Sequence, residues 1–84
     1  MKPVTVYTTE MCPFCRSAKA LLDKRSIAYE EINLAHEPDA RGKLSQLTGG
    51  FTFPQIVIGE TTVGGFDELR AADRSGQLSE LLAA

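Results

Sequence analysis

The sequence predicts an α/β fold in which helices flank a mixed four-stranded sheet. Two patterns indicate it. In the first half of the chain, strand-like alternation of apolar residues is interleaved with helical periodicity. In the second half, two short β-branched segments flank Gly59-Glu60, which is a hairpin signal. A β-α-β unit has parallel strands and a hairpin has antiparallel strands, so the sheet has to be mixed.

Two strands and two helices are predicted in the first half. Residues 3–8 alternate as a strand, and residues 13–25 then take helical spacing with a proline in the first turn. Residues 27–32 are predicted as a second strand. A second helix is predicted over residues 37–47, again with an early proline and with Gly49-Gly50 as its stop.

The second half continues with strands over residues 54–58 and 61–63. A helix is predicted from near Asp67 to about Arg74, where Gly76 interrupts it, and residues 78–82 add a last turn or two over the sheet. The resulting order is β-α-β-α-β-β-α, which is typical of the thioredoxin-type fold.

Size and charge limit the class of protein. The chain has 84 residues, 9 Lys+Arg against 11 Asp+Glu, and a formal charge of −2. Folding at this length buries about 60% of the unfolded surface, so one domain spanning residues 1–84 is expected. No basic stripe is present to neutralise phosphates, and nucleic acid is not an expected partner. The sequence shows no signal peptide or membrane span, so a cytoplasmic monomer without a membrane partner is expected.

Both cysteines lie in one tetrapeptide, Cys12-Pro13-Phe14-Cys15. A bridge closing so small a loop does little to restrict the unfolded chain, which favours a chemical role. Cys12 would lie at a helix N-terminus, where free N–H groups and the macrodipole stabilise a thiolate. Arg16 and Lys19 on the same face would add positive charge.

Cys15 would be more buried, one helical turn further along, so the pair divides into a nucleophile and a resolving thiol. Two structural alternatives are a pair of core cysteines and half of a zinc site. A zinc site needs about two further ligands, and the only histidine, His36, lies in a polar loop, so no metal is expected.

Two other segments have both an ordinary and a functional interpretation. Thr52-Phe53-Pro54 is most simply a loop that ends at a strand, because only about 5–6% of X-Pro bonds are cis. A cis bond would instead present the Phe53 backbone to an extended peptide beside Cys12.

The second segment is Gly64-Gly65-Phe66-Asp67, where an acidic residue in a first helical turn complements the helix dipole. Alternatively, the Phe66 and Asp67 N–H groups bind a carboxylate while the Asp67 side chain pairs with an ammonium group.

Taken together, these segments resemble the bacterial dithiol glutaredoxins, over essentially the whole chain. The resemblance is carried by Val-Tyr-Thr before the CPFC motif, by Ala18-Lys19-Ala20-Leu21-Leu22, by Thr52-Phe53-Pro54-Gln55-Ile56 and by Gly64-Gly65-Phe66-Asp67-Glu68-Leu69. It implies a cis bond before Pro54 and a glutathione-dependent thiol–disulfide oxidoreductase. Cys12 would remove glutathione from mixed disulfides, and Cys12 with Cys15 would reduce protein disulfides.

The resemblance also implies a ligand site and partners. Glutathione would be a co-substrate, with no tightly bound cofactor, and disulfide-containing proteins such as ribonucleotide reductase would be substrates. Arg16 would stabilise the thiolate. The implied glutathione-binding residues are Phe14, Thr52, Phe53, Pro54, Gly65, Phe66 and Asp67.

Three positions depart from the family pattern. Thr9 and Gly50 stand where similar glutaredoxins often carry basic or polar residues facing the glycyl carboxylate of glutathione, and Phe14 stands where tyrosine is common. Two rival functions remain open. One is an electron donor fed by thioredoxin reductase, and the other is a carrier of a glutathione-ligated [2Fe–2S] cluster, which Pro13 and Cys15 disfavour.

Overall fold

A computed structural model describes residues 1–83. The elements in chain order are β1 (Val4–Thr8), α1 (Pro13–Lys24), β2 (Glu30–Asn33), α2 (Ala40–Thr48), β3 (Gln55–Ile58), β4 (Thr61–Gly64), α3 (Phe66–Ser75) and α4 (Gln77–Leu82). The strands form one sheet in the order β2-β1-β3-β4. Strand β1 is parallel to β2 and antiparallel to β3, and β3 is antiparallel to β4. The predicted mixed sheet is confirmed.

Strand β1 lies inside the sheet and alternates in burial, as the sequence pattern requires. Val6 is fully buried and pairs with Ile56 of β3 on one side and with Glu31 of β2 on the other. The apolar residues on this face pack against α1, α3 and α4. They form a single buried cluster of Val4, Val6, Ala18, Leu22, Ile27, Ile56, Ile58, Leu69, Ala72, Leu78 and Leu82.

Helix α2 covers the opposite face of the sheet. It packs against β3, and its Leu44 is fully buried but lies outside the cluster formed with the other helices. Because successive side chains of a strand point to opposite faces, Gln55 and Val57 of β3 lie on the α2 side. Helices therefore flank both faces, as predicted.

The second strand begins later than predicted, at Glu30 rather than at residue 27. Ile27 is buried, but its N–H donates to the Leu22 carbonyl at 2.9 Å, so it closes the end of α1. Ser26, with a φ of 57°, turns the chain at this point. Apolar character at position 27 therefore reflects packing after the helix and not a strand.

Helix α2 also begins later than predicted, at Ala40 rather than at residue 37. Asp39 is the N-cap and its side chain accepts a hydrogen bond from the Gly42 N–H at 3.2 Å. Pro38 therefore precedes the helix instead of occupying its first turn. The break at Gly76 is confirmed, since its φ of 85° separates α3 from a distinct α4. None of the helices within residues 1–83 has the length and apolarity needed to cross a membrane.

A polar network ties β1, β2 and α1 together. The Thr8 hydroxyl, almost completely buried, donates to Glu31 Oε2 at 2.8 Å. Lys19 Nζ lies 3.2 Å from both oxygens of the same carboxylate. The hydrogen bond from Thr8 and then the contact with Lys19 lower the pKa of Glu31 below its usual value of 4.5, against the opposing effect of burial. The network thus stabilises the ionised carboxylate in the folded protein.

We expect Glu31→Gln to lower the free energy of unfolding at neutral pH by about 0.5–1 kcal/mol, a modest figure because solvent screens this partly exposed pair. A lowered folded-state pKa stabilises the protein above the unfolded pKa, and that contribution is lost as pH falls through the folded value. Urea unfolding at about pH 7 and about pH 3 should therefore show the difference from wild type only at the higher pH.

Glu30→Gln is the matched control, because Glu30 is an exposed carboxylate on the same strand. A similar loss in both variants would contradict a specific role for the Thr8 and Lys19 contacts.

Candidate active site

The first turn of α1 is built around Cys12. Cys12 is the N-cap residue, with extended backbone angles, and its Sγ accepts a hydrogen bond from the Cys15 N–H at 3.1 Å. Pro13 occupies the first helical position, where its missing N–H costs nothing. One of the free N–H groups of the helix therefore points at the sulfur of Cys12, which is the arrangement that stabilises a thiolate.

The two cysteines form a disulfide, with their Cα atoms 5.2 Å apart. Cys12 is half-buried, whereas Cys15 is only 2% exposed. A substrate can therefore approach the first sulfur but not the second. The division into an attacking thiol, Cys12, and a resolving thiol, Cys15, remains a prediction, and this difference in exposure supports it.

Cys12 opens onto a cleft of about 730 Å³. The cleft brings together the three chain segments that the sequence singled out. It is lined by Thr9, Glu10, Met11, Cys12, Pro13, Phe14, Arg41, Thr52, Phe53, Pro54, Gly65, Phe66, Asp67 and Glu68. All the residues predicted to bind glutathione lie in this set. Cys15 is buried behind it, and Arg16 is exposed and lies outside the lining.

The Phe53-Pro54 peptide bond is cis, as the family resemblance implies and contrary to the simpler local interpretation. Pro54 is buried, and the buried Gln55 side chain donates to the Thr52 carbonyl at 2.9 Å. A Cβ atom at Gly50 would lie 2.5 Å from the same Gln55 side chain. The Gln55 amide thus fills the space that a larger residue at position 50 would need.

The turn before α3 is held by a side chain of the helix itself. Glu68 Oε1 accepts a hydrogen bond from the Gly65 N–H at 2.7 Å, and Gly64 has a φ of 122° that favours glycine. Asp67 follows in the first turn of α3 with 76% of its side chain exposed, and its Oδ1 lies 3.6 Å from Arg70 Nη2. The Asp67 carboxylate therefore faces solvent at the cleft, next to one cation.

An aromatic pair joins the two helices at the cleft. The rings of Phe14 and Phe66 are stacked, with their centroids 6.2 Å apart, and the Arg70 guanidinium lies 5.5 Å from the centroid of Phe66. The first turns of α1 and α3 are thus neighbours, and both present their N-terminal ends to the cleft. Two positive helix ends favour anions there.

Lys19 lies elsewhere than the sequence indicated, and the cleft contains a basic residue that the sequence analysis did not single out. Lys19 is paired with Glu31 and is therefore not directed at Cys12. The cleft instead contains Arg41 of α2, whose Nη1 donates to the Phe51 carbonyl at 2.6 Å. Among the described residues that line the cleft, Arg41 is the only cation. Local periodicity gives no signal for it, because Arg41 looks like any exposed cation of an amphipathic helix.

A pair of cysteines at a helix N-terminus, beside a cleft on a thioredoxin-type sheet, defines a thiol–disulfide oxidoreductase. The glutaredoxin family model matches residues 4–63. The chain is 46% identical to a glutaredoxin of Pseudomonas aeruginosa, over all of both chains. The chain belongs to the glutaredoxin family.

Solved structures agree with this assignment. The solution structure of a Brucella melitensis glutaredoxin superimposes with a TM-score of 0.84 at 41% identity, over 98% of this chain and 89% of that one. A buckwheat glutaredoxin–glutathione complex superimposes with a TM-score of 0.85 at 32% identity, over 96% and 76% of the two chains.

Reduced Cys12 should have a pKa below the roughly 8.5 of a free thiol, because the first-turn N–H groups and the end of α1 stabilise its thiolate. The rate of alkylation of the reduced protein, measured against pH with mass-spectrometric assignment of each site, gives this pKa directly. Arg16→Gln should leave most of the depression in place, since the Arg16 side chain lies outside the cleft lining.

Alkylation of Cys12 with the pH profile of a free thiol, together with an acidic Cys15, would reverse the assigned roles.

Proposed function

We propose that this protein is a glutathione-dependent oxidoreductase that reduces glutathionyl mixed disulfides through Cys12 alone and protein disulfides through Cys12 and Cys15. One observation carries the proposal: an accessible N-cap cysteine shares a cleft with a cation, Arg41, and an exposed carboxylate, Asp67. Glutathione is a tripeptide with an ammonium group at one end and a carboxylate at the other. The similar buckwheat protein was solved as a complex with glutathione, which supports the same ligand here.

The cysteinyl part of glutathione would bind to the turn before β3. Thr52 and Phe53 line the cleft, and an extended peptide laid there would pair with the Phe53 backbone as an added strand does. Pro54 and Phe14 supply apolar contacts beside the reacting sulfur.

The γ-glutamyl end would lie at the start of α3. Its carboxylate meets the N–H groups of Phe66 and Asp67, and Gly65 lets the ligand approach the backbone closely. The Asp67 side chain then accepts a charge-assisted hydrogen bond from the ammonium group. This bond replaces part of the existing contact between Asp67 and Arg70.

The glycyl carboxylate would be met by Arg41. Thr9 and Gly50 carry no charge, and Arg41 is the cation that the cleft lining contributes within the described chain. Its guanidinium is already oriented by the Phe51 carbonyl and keeps further donors for a carboxylate. The family pattern is thus fulfilled by a residue from a different element.

In the first route, the Cys12 thiolate attacks the glutathione sulfur of a mixed disulfide. The substrate leaves as a thiolate and Cys12 becomes glutathionylated. A second glutathione thiolate then attacks the sulfur of the bound glutathione, which releases glutathione disulfide and restores the Cys12 thiolate. The net reaction is a disulfide exchange, in which one free glutathione is consumed and the disulfide passes from the substrate to glutathione disulfide.

In the second route, Cys12 attacks a protein disulfide and remains linked to one of its sulfurs. Cys15 then attacks Cys12 Sγ, releases the second substrate thiolate and forms the disulfide present in the structure. Two glutathione molecules reduce that disulfide. Glutathione is thus a co-substrate, and no tightly bound cofactor or second copy of the chain is needed. Cytoplasmic disulfide-containing proteins, with ribonucleotide reductase as one candidate, are the proposed partners.

Asp67→Asn should weaken the use of glutathione substrates by roughly fivefold in KM, since an exposed charge-assisted hydrogen bond is worth about 1 kcal/mol. A mixed disulfide with cysteamine, which lacks the γ-glutamyl group, should be reduced at nearly the wild-type rate. Steady-state kinetics with both substrates provide the comparison, and Glu60→Gln in the β3–β4 turn serves as the charge control. Equal losses on both substrates would leave Asp67 with only a helix-dipole role.

Cys15→Ser should retain removal of glutathione from a glutathionylated protein, whereas Cys12→Ser should abolish it, because that route needs one nucleophile. Reduction of an internal protein disulfide should be selectively lost in Cys15→Ser, since the resolving thiol acts at high effective concentration one helical turn away. Turnover coupled to glutathione, glutathione reductase and NADPH measures both activities.

Loss of both activities in Cys15→Ser would exclude the glutathione route and favour a purely dithiol donor.

A further inference from the structure

A second groove of about 360 Å³ lies between α1 and α3, and Phe66 is its only described lining residue that belongs to the proposed glutathione site. Phe66 lines both this groove and the cleft, so the two are contiguous. Its basic residues are Lys24, Arg25, Arg70 and Arg74. A surface next to the reacting cysteine, but beyond the reach of a tripeptide bound to it, is placed to contact a larger substrate.

The groove concentrates positive charge on a protein that is acidic overall. It contains four of the nine basic residues of a chain whose formal charge is −2. Asp73 is the only acidic residue in its described lining, and its carboxylate is occupied by Arg25 at 2.9 and 3.0 Å. Arg70 contacts Asp67, whereas Lys24 and Arg74 take part in neither of these two pairs and are available to an anionic partner.

The cleft has the opposite balance of charge, with more acidic than basic side chains in its described lining. Glu10, Asp67 and Glu68 line it, and Arg41 is the one cation among the lining residues that the structure describes. Side-chain carboxylates directly beside a substrate disulfide would meet these three acidic residues, while acidic residues a few positions away could reach the groove. Arg70 stands at the junction, against the Phe66 ring and beside Asp67.

We propose that this basic groove docks an acidic segment of the protein whose disulfide is being reduced at Cys12. The inference rests on the proposed function, because it assigns a partner chemistry to the dithiol route. Helix α1 places Lys24 about 18 Å from Cys12, at about 1.5 Å per residue. An extended chain covers that distance in about five or six residues. The docked acidic residues therefore lie about three to six positions from the reacting cysteine.

Lys24 and Arg74 also have an ordinary structural role, since both lie in the last turn of a helix and complement its dipole. That role predicts a change in stability that does not depend on the substrate. A docking role predicts a change in kcat/KM that depends on the charge of the substrate and on ionic strength. The two roles are separated by comparing matched substrates.

The experiment uses peptides with one internal disulfide and a block of glutamates about four residues from the nearer cysteine. Otherwise identical peptides carry glutamines at those positions, and versions with the block on either side test both chain directions. Dithiothreitol replaces glutathione as the reductant, so the measurement does not depend on the glutathione site. Activity on a small glutathione mixed disulfide is measured separately, and its absence would contradict the proposed function without affecting the groove result.

At low ionic strength, the wild type should show a kcat/KM for the glutamate peptide roughly three- to tenfold above that for the glutamine peptide, in at least one direction. The double variant Lys24→Gln with Arg74→Gln should bring this ratio close to unity. A control with the same change in charge, Lys2→Gln with Lys43→Gln, should keep it, since both lysines lie outside the groove and the cleft. Thermal unfolding of all variants measures the effect on the helix ends.

Three results would overturn the proposal: no preference in the wild type, a preference retained by the groove variant, or an equal loss in the control variant. The proposal would also be overturned if a short single-stranded oligonucleotide competed for the groove and the glutamate peptide did not. That result would indicate a phosphate-binding surface.

Discussion

The first turn of α1 connects the solvent-accessible cleft with the buried interior within three residues. Cys12 caps the helix at the cleft, whereas Cys15 is buried. This is possible only where the helix begins at the edge of a packed sheet. Ala18 and Leu22 continue the buried stripe at helical spacing and fix the helix against β1 and β3. The reactivity of the site therefore depends on core packing that lies well away from any substrate.

The polar network of Thr8, Lys19 and Glu31 also helps to position α1. Lys19 belongs to the helix of the cysteines, but Glu31 of β2 binds it and Thr8 of β1 holds Glu31. A cation that the sequence suggested for the thiolate thus contributes to the placement of the helix instead. The end of α1 directs the Cys15 N–H at Cys12 Sγ, while Arg16 is exposed and lies outside the cleft lining.

Most of the fold could be predicted because β1 alternates regularly in burial, and because α1 and α3 each bury an apolar face at helical spacing. The errors fall where one residue breaks a local rule. Ile27 is apolar yet follows a turn at Ser26, and Asp39 caps α2 although Pro38 is the more usual marker of a helix start. In both cases a non-glycine residue with a positive φ changes the direction of the chain. The amino-acid sequence gives no signal for that backbone conformation in a residue other than glycine.

The site was predictable to the extent that chemistry and local structure coincide. Cysteines at a helix start and glycines before a helix carry local signals, and the chain segments they mark do meet in one cleft. The Phe53-Pro54 geometry needed the family resemblance, since the local sequence favoured the commoner isomer. Arg41 could not be found from periodicity, because its place in the cleft follows from the packing of α2 against β3.

Helices α1 and α3 are fastened to each other at both ends. Phe14 and Phe66 stack where the helices begin, and Arg25 forms a two-pronged ion pair with Asp73 where they finish. Helices that run side by side in the same direction have dipoles that repel each other, so they tend to splay apart unless they are tied. The Arg25–Asp73 pair therefore offsets part of this repulsion at the end of the two helices that is remote from Cys12.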